Sequence, residues 1–338
     1  MSLIDRFSKQ CATPVWSMGV VKKHAVAGYT QRKVRDREDA LARSSRRPLP
    51  DNRLLLAFRC LIESTLAGTM ERSFPFLQIN ERERKPRKRG LTEIRGSYYS
   101  VAGRRYLEDL FEMMGAYVDS VKFAGGSFTL MPEPALRDII ELCHKHDVLV
   151  STGGFIERVL VQGSDAVRKY VLECKRLGFD VIEISAGFIS ISTDDWLRLI
   201  ELVRKSGLKA KPEVGIQFGA GGATALRAEG TRDPDWAIAQ AKRFLEAGAD
   251  IIMIESEGIT ENVDPWRTDV PAKFINEIGM DKLMFEAADP DVFAWYIKNY
   301  GADVNLFVDH SQIVQLECLR AGIWGTKSLW GRVVTYEE

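Results

Sequence analysis

Residues 177–187 read LGFDVIEISAG: a glycine, a short apolar run and a second glycine. The run is apolar on both alternating faces except at Glu183, and this is typical of a strand buried on both sides in a parallel sheet covered by helices. A carboxylate is unfavourable to bury unless it is paired or binds a ligand. The segment therefore predicts a core strand that carries one acidic side chain with a specific partner.

The same pattern recurs three times elsewhere in the chain. Residues 115–123 read GAYVDSVKF, residues 248–255 read GADIIMIE and residues 301–307 read GADVNLF. We interpret each of these segments as a buried strand with one polar side chain late in the strand. A repeated unit of this kind indicates a fold built from similar strand-and-helix modules.

Eight strand candidates alternate with helical segments over about 240 residues, and this predicts an α/β fold of the (β/α)8 TIM barrel type. The strand candidates are Leu91–Arg95, Ser120–Phe123, 148–154, Val181–Ser185, Lys209–Gly215, Ile251–Glu255, Leu283–Glu286 and Val304–Val308. An open doubly wound sheet is the alternative, but it would usually show a glycine-rich dinucleotide motif after the first strand. Residues 95–100 read RGSYYS there and do not match.

Charge divides the chain into a basic arm and an acidic body. Residues 1–90 carry 20 Lys and Arg against 9 Asp and Glu, although the whole chain is neutral. We predict a basic N-terminal extension over 1–84, partly helical or disordered, the barrel over 85–330 and a short tail over 331–338. The arm is expected to fold against its own acidic body or a neighbouring subunit. No nucleic-acid recognition motif accompanies the charge, so nucleic acid is the less favoured partner.

Composition narrows the expected location. No apolar run approaches the roughly 18 residues of a membrane span, so no membrane partner is expected. The five cysteines are scattered and lack CxxC spacing, which indicates a reducing compartment. We therefore expect a cytoplasmic protein. Residues 1–35 are basic and poor in acids, and a mitochondrial presequence is the alternative.

A barrel of this type has its active site at the carboxyl ends of its strands. The polar residues late in the predicted strands are Arg95, Lys122, Glu183, Glu213, Glu255, Glu286 and Asn305. Carboxylates beside a lysine and an arginine suit Mg²⁺ and a phosphorylated, anionic small molecule. The backbone N–H groups of two loops that open with Gly125-Gly126 and Gly153-Gly154 are candidates for holding phosphate. The alternative is that some of these residues form salt bridges that close the barrel, for example Lys122 with Glu183.

Several short motifs occur in the order found in a known family. They are GLT (90–92), VKFAGG (121–126), GG (153–154), FDVIEIS (179–185), PEVG (212–215), IE (254–255) and FEA (285–287). As an ordered set over about residues 85–330, they make the chain resemble phosphosulfolactate synthases. Residues 85–99 look closer to a eukaryotic branch that includes plant heat-stress-associated proteins.

The resemblance implies a trimeric (β/α)8 barrel that adds sulfite to phosphoenolpyruvate with Mg²⁺. Glu183, Glu213 and Glu255 would hold the metal, and Lys122 and Arg95 would bind anionic groups of the substrate. Lys122 and Glu213 are then the expected catalytic residues. We expect Arg95, Glu286, Asn305 and the two glycine pairs to contact the substrate.

Two positions depart from the family pattern. Archaeal members carry a lysine shortly after Glu-Val-Gly, where this chain has Ile216-Gln217, and an aspartate after Gly-Leu-Thr, where it has Glu93, Arg95 and Gly96. Lys122 and Lys211 both remain candidates for the general acid. Two other functions stay open: a non-catalytic heat-stress interaction protein on the same barrel, and a barrel enzyme for another phosphorylated enolic acid.

Overall fold

The computed structural model describes residues 72–217 and 233–323. Eight parallel strands close into a barrel in chain order, because each strand pairs with the next and the last pairs with the first. The strands are β1 Thr92–Arg95, β2 Ser120–Lys122, β3 Leu149–Ser151, β4 Val181–Ile184, β5 Lys209–Val214, β6 Ile252–Ile254, β7 Leu283–Glu286 and β8 Leu306–Asp309. This topology confirms the predicted (β/α)8 barrel. Most of the predicted N-terminal extension, and all of the predicted tail, lie outside the described residues.

Helices connect the strands and cover the barrel from outside. In the described part they are α1 Arg104–Met114, α2 Glu133–Lys145, α3 Ile156–Leu160, α4 Ser164–Leu177, α5 Thr193–Lys205, α6 Pro234–Glu246, α7 Asp269–Ile278, α8 Pro290–Tyr300 and α9 Ile313–Arg320. Their apolar faces pack on the outward-facing strand residues and form the main hydrophobic core. Within the described ranges, none of these helices combines the length and apolarity that crossing a membrane requires.

The helix ends follow local sequence signals. Ser192 caps α5 by accepting a hydrogen bond from the backbone N–H of Asp195 at 3.1 Å. Asp233 and Asp289 cap α6 and α8 in the same way, each directly before a proline at the first helical position. A side-chain acceptor at this position satisfies a backbone N–H group that has no partner within the helix. Gly178 ends α4 with φ +102°, a left-handed conformation that favours glycine.

The recurring sequence unit has a structural role at the amino ends of the strands. Asp119, Asp180 and Asp250 each precede a strand. Each carboxylate accepts a hydrogen bond from a backbone N–H near the start of the preceding strand. The donors are Thr92, Val150 and Ala210, at 2.8, 2.7 and 3.0 Å. Asn305 does the same before β8, by accepting the N–H of Leu91 at 2.8 Å. These side chains hydrogen-bond neighbouring strands to each other at the bottom of the barrel, the end at which the strands begin.

The segment before β1 also packs on the bottom of the barrel. Asn80 donates its amide to the carbonyl of Arg320 at 2.9 Å, and Arg82 pairs with Glu317 on α9. Arg87 lies 3.2 Å from Asp119. Residues 80–84, which the sequence analysis assigned to the extension, therefore make contacts with the barrel.

Candidate active site

A cavity of about 1270 Å³ opens at the carboxyl ends of the strands. Five of the six charged residues predicted for the site border it: Arg95, Lys122, Glu213, Glu255 and Glu286. Each lies at the end of a strand or next to it. Because parallel strands bring their carboxyl ends to one edge, residues far apart in sequence meet here.

Lys122 is a buried cation that reaches the cavity from β2. Its ammonium nitrogen lies 3.0 and 3.2 Å from the two carboxylate oxygens of Glu183 and 3.9 Å from the centre of the Phe307 ring. Burial alone would lower the pKa of Lys122, but Glu183, with smaller contributions from Glu286 and Glu213, raises the pKa above its usual value. Lys122 is therefore a cation at neutral pH.

Arg95 is the second cation at the cavity. Its guanidinium lies 3.0 Å from the carboxylate of Glu286, and it lies over the rings of Tyr99 and Phe307, 5.1 and 5.0 Å from their centres. Both ion-pair partners are mostly buried, so the pair is shielded from solvent. These contacts hold the guanidinium plane in one orientation, and this suits the recognition of a planar carboxylate or a phosphate.

Glu183 is placed differently from the sequence-based expectation of a metal ligand. Its side chain is 1% exposed, and its carboxylate lies 3.0 Å from Lys122 and 3.1 Å from Lys211. Although burial would raise its pKa, the two lysines lower the pKa below the usual value. Glu183 is absent from the cavity lining. Both carboxylate oxygens already contact ammonium groups, so the salt-bridge alternative describes this residue.

Glu213 and Glu255 carry no ion pair in the described structure, and both face the cavity. Burial, together with the charges of Glu183 and Glu286, raises the pKa of Glu213 to about 8. Burial and the charges of Glu286 and Glu213 raise the pKa of Glu255 well above its usual value. Both side chains therefore bind a proton more tightly than an exposed glutamate does, and a metal ion bound directly to either carboxylate would displace that proton.

The oxygen atoms at this end of the cavity are suitable ligands for a hard divalent cation. Gln217 Oε1 is buried and has no hydrogen-bond partner, and Gln217 borders a small adjoining cavity of about 30 Å³ together with Glu213 and Glu255. No cluster of three or more His, Cys, Asp or Glu in the described ranges forms a metal site by itself. Mg²⁺ usually takes only one or two carboxylates and completes its shell with water or substrate oxygens, so these residues fit it.

The four glycines of the two predicted phosphate loops make room for aromatic rings, backbone and the Ser185 side chain. Gly125 has φ +59°, and a Cβ there would lie 2.5 Å from the Tyr98 ring. Gly126 has φ +70°, and a Cβ there would overlap the Phe155 ring. Gly153 donates its N–H to the Phe123 carbonyl at 2.8 Å, so that group is not available to phosphate. Gly125 and Gly154 border the cavity, whereas Gly126 and Gly153 do not.

Asn305 lies at the opposite end of the barrel from the cavity. It comes directly before β8, is fully buried, and donates its amide to the carbonyls of Met280 and Leu283 at 3.2 and 2.9 Å. The structure therefore does not bring Asn305 to the cavity, although we expected it to contact the substrate. As the second residue of the predicted strand Val304–Val308, Asn305 is nearer the amino end than the carboxyl end of that strand as well.

Three residues that were not predicted for the site also border the cavity. Tyr98 and Tyr99 follow β1, and Glu157 follows β3 on α3. The Glu157 carboxylate accepts hydrogen bonds from Ser185 Oγ at 2.6 Å and from the N–H of Phe188 at 2.8 Å, so it orders the loop after β4. Their position shortly after the carboxyl end of a strand was the feature of the sequence that could have identified them.

His310 also borders the cavity, as a residue just beyond β8. Its Nδ1 lies 2.7 Å from the hydroxyl of Tyr106, and the two rings meet edge to face. This contact joins α1 to the residues just beyond β8.

The fold and the mouth of the barrel, where the cavity opens at the carboxyl ends of the strands, define a (β/α)8-barrel protein that presents two fixed cations among acidic side chains. The chain belongs to the phosphosulfolactate synthase family, since residues 80–326 match (2R)-phospho-3-sulfolactate synthase (ComA). It is 43% identical over 258 residues to Protein HEAT-STRESS-ASSOCIATED 32 of Arabidopsis thaliana, with coverage of 72% of this chain and 90% of that protein.

Two relatives are named as synthases. The chain is 28% identical over 260 residues to the phosphosulfolactate synthase of Methanothermobacter thermautotrophicus, with coverage of 75% of this chain and 96% of that enzyme. It is 24% identical over 254 residues to that of Bacillus subtilis, with coverage of 73% and 95%.

Proposed function

We propose that this barrel is a carbon–sulfur lyase of the phosphosulfolactate synthase type, which adds sulfite to phosphoenolpyruvate. Family membership supports the reaction class. The observation that carries the proposal is the position of Arg95 and Lys122 at one cavity, beside two carboxyl groups that have no ion-pair partner in the described structure. A small acid with two anionic groups, a carboxylate and a phosphate, needs such cations, and the reaction needs a nearby proton.

The two cations bind the anionic groups of the substrate. Arg95 is oriented by Glu286 and Lys122 by Glu183, so neither has to be reorganised when the substrate arrives. When sulfite attacks the terminal carbon of phosphoenolpyruvate, electron density moves onto the substrate carboxylate. Fixed positive charges beside that group stabilise the transition state more than the ground state.

Glu213 supplies the proton in this proposal. The carbon that bears the phosphate must be protonated after sulfite adds, and a general acid works best with a pKa near the working pH. The pKa of Glu213 is raised to about 8, whereas the pKa of Lys122 is raised above its usual value. Lys211 is buried among carboxylates and does not border the cavity. Of these three groups, Glu213 is the suitable donor.

Glu255, with the amide oxygen of Gln217, would hold Mg²⁺ at the same end of the cavity. When bound, the cation neutralises negative charge on the substrate oxygens. Its site borders Glu213 through the small adjoining cavity. Of the three glutamates that the sequence suggested as metal ligands, the proposed site keeps Glu255, omits Glu183 and Glu213, and adds Gln217.

The purified protein tests the proposal with phosphoenolpyruvate, sulfite and Mg²⁺, and the product is followed by ³¹P NMR and mass spectrometry. We expect phosphosulfolactate to form, and Glu213→Gln to abolish its formation. Glu246→Gln, an exposed position at the end of α6, is the matched control and should keep full activity. The absence of product from folded protein at high concentration overturns the proposal.

A second candidate is a non-catalytic heat-stress protein that keeps the barrel. The 43% identity to Protein HEAT-STRESS-ASSOCIATED 32 favours it, as does Gln217 near the place of the archaeal lysine. Heat survival of cells that express a Glu213→Gln/Glu255→Gln variant separates the two functions. Survival equal to that with the wild-type protein supports the non-catalytic role, and loss of survival supports the enzyme.

A further inference from the structure

The interior of the barrel is divided into a charged half and an apolar half. On β6, β7 and β8 the inward-facing residues below the mouth are Met253, Met284 and Phe307, which form a small hydrophobic cluster separate from the main core. On β1, β2, β4 and β5 the interior positions are filled by side chains that hydrogen-bond or form ion pairs with one another: Glu93, Ser120, Lys122, Glu183 and Lys211. Barrel interiors are dominated by branched apolar side chains, so the charged half needs an explanation.

The charged residues form one continuous chain of contacts with alternating sign. Ser120 Oγ donates to Glu93 at 3.0 Å, and Lys211 contacts Glu93 closely. Lys211 also lies 3.1 Å from Glu183, which in turn lies 3.0 Å from Lys122. All four charged side chains are almost completely buried, with exposed fractions of 2, 2, 1 and 6% for Glu93, Lys211, Glu183 and Lys122. Only Lys122 borders the cavity.

Barrel closure does not require these charges. A buried ion pair is often no more stabilising than well-packed apolar residues of similar volume. The same barrel fills its other half with Met253, Met284 and Phe307. A chain of four buried charges that ends at a cavity therefore indicates a role in holding its last member, Lys122, in place.

We propose that Glu93 and Lys211 are positioning residues for Lys122. Lys211 shares the charge of Glu183, and Glu93 fixes Lys211 from the opposite side. Glu183 is thereby kept from drawing the ammonium of Lys122 fully into the interior, and Lys122 remains free to bind an anionic group of the substrate. The inference rests on the proposed function only in the anion-binding role of Lys122.

A double-mutant cycle on the binding of inorganic phosphate tests this coupling by calorimetry. Glu93→Gln/Lys211→Met removes one negative and one positive charge together, so the interior stays balanced. We expect this pair of substitutions and Lys122→Met each to weaken phosphate binding at least tenfold. In the triple variant, phosphate should bind within twofold of Lys122→Met alone, because Glu93 and Lys211 act through Lys122.

Two results overturn the proposal. One is a phosphate affinity of Glu93→Gln/Lys211→Met equal to that of the wild type. The other is an equal loss of phosphate affinity when this pair of substitutions is made in the wild type and in Lys122→Met. The control is Met253→Leu/Met284→Leu in the apolar half, which should leave the affinity within twofold of the wild type. If the paired variant does not fold, Ser120→Ala takes its place as the test, because it removes only the hydroxyl group that donates a hydrogen bond to Glu93. It should weaken phosphate binding two- to fivefold, and an unchanged affinity overturns the proposal.

These outcomes are separate from the test of the reaction. Phosphate binding that depends on Glu93 and Lys211 supports the positioning role even if sulfite and phosphoenolpyruvate give no product. Turnover by a paired variant with wild-type phosphate affinity supports the reaction and overturns the positioning role.

Discussion

The guanidinium of Arg95 on β1 lies 3.0 Å from the carboxylate of Glu286 on β7, across the strand that separates them. The rings of Tyr99 and Phe307 lie on the guanidinium at about 5 Å. Arg95 is therefore held by one ion pair and two aromatic rings. A planar group fixed in this way can form paired hydrogen bonds to one anionic group.

Arg95→Lys should weaken phosphoenolpyruvate binding at least tenfold. Lysine keeps the charge but loses the planar fork and its stacking on the rings, and a hydrogen bond to a charged group contributes about 1.5–3 kcal/mol. Binding is measured by calorimetry without sulfite. Arg104→Lys, a half-exposed position on α1, is the control. A change of less than threefold at Arg95 would show that the guanidinium geometry is unimportant.

Glu213 makes stability depend on pH in a defined direction. Its pKa rises from 4.5 to about 8 on folding, so the folded state binds the proton more tightly than the unfolded state. This contribution is fully present below about pH 4.5 and is lost as pH rises through about 8. The Tm of the wild type should fall between pH 5.5 and 8.5 more steeply than the Tm of Glu213→Gln, which cannot titrate. Parallel curves for the two proteins would contradict this assignment.

Mg²⁺ should raise the Tm of the wild type at neutral pH, because a ligand that binds only the folded state stabilises it. Glu255→Gln should remove the effect, and Gln217→Leu should reduce it. Binding should also release protons, since a ligating carboxylate must be ionised and the pKa of Glu255 is raised. Glu257→Gln, on the same loop but with its carboxylate held by Asn262, is the control. A Tm rise that survives Glu255→Gln places the cation elsewhere.

The barrel was predictable because its strands are short apolar runs between glycines. The predicted Lys209–Gly215, for example, contains the observed β5, Lys209–Val214. The position of β8 was less certain, because its apolar run starts at Val304 whereas the strand starts at Leu306. Asn305 is the second residue of the predicted strand and directly precedes the observed one, so both place it not at the mouth, where it was expected, but at the bottom of the barrel. There it has the same role as Asp119, Asp180 and Asp250.

Lys122 was the one partner of Glu183 that the sequence suggested, and the second partner, Lys211, was not predictable from spacing. Lys211 faces Glu183 through the register between β4 and β5, and register depends on packing around the whole barrel. The contact between Glu93 and Lys211 joins β1 to β5, on opposite sides of the barrel. Such a contact exists only after closure. The sequence could suggest the pair of Lys122 with Glu183, but not that Lys211 and Glu93 extend it.

Gly126→Ala and Gly163→Ala should separate two reasons for glycine. Both residues have positive φ, +70° and +94°, but a Cβ at Gly163 would meet nothing within 4 Å, whereas one at Gly126 would overlap the Phe155 ring. We expect Gly163→Ala to lower the free energy of unfolding by about 1–3 kcal/mol, because φ +94° with ψ 172° is a backbone conformation essentially confined to glycine. Gly126→Ala should lower it by about 2–4 kcal/mol, because the ring must also move. Urea unfolding measures both, and equal losses would rule out the steric contribution of Phe155.

Glu317→Gln should destabilise the protein without changing the active site. Glu317 lies at the bottom of the barrel, where its buried carboxylate pairs with Arg82 and lies 3.6 Å from the buried Arg320. Removing its charge leaves two guanidinium groups without their shared counter-ion, and breaking a buried pair in this way costs about 3–5 kcal/mol. Urea unfolding should show that loss, whereas Val314→Ala, an exposed position on the same helix, should change stability by less than about 0.5 kcal/mol. Phosphate affinity of the folded Glu317→Gln variant should equal that of the wild type, because the cavity lies at the other end of the strands. A weakened affinity would mean that the bottom ion pairs influence the mouth through the barrel, and that the two ends are not independent.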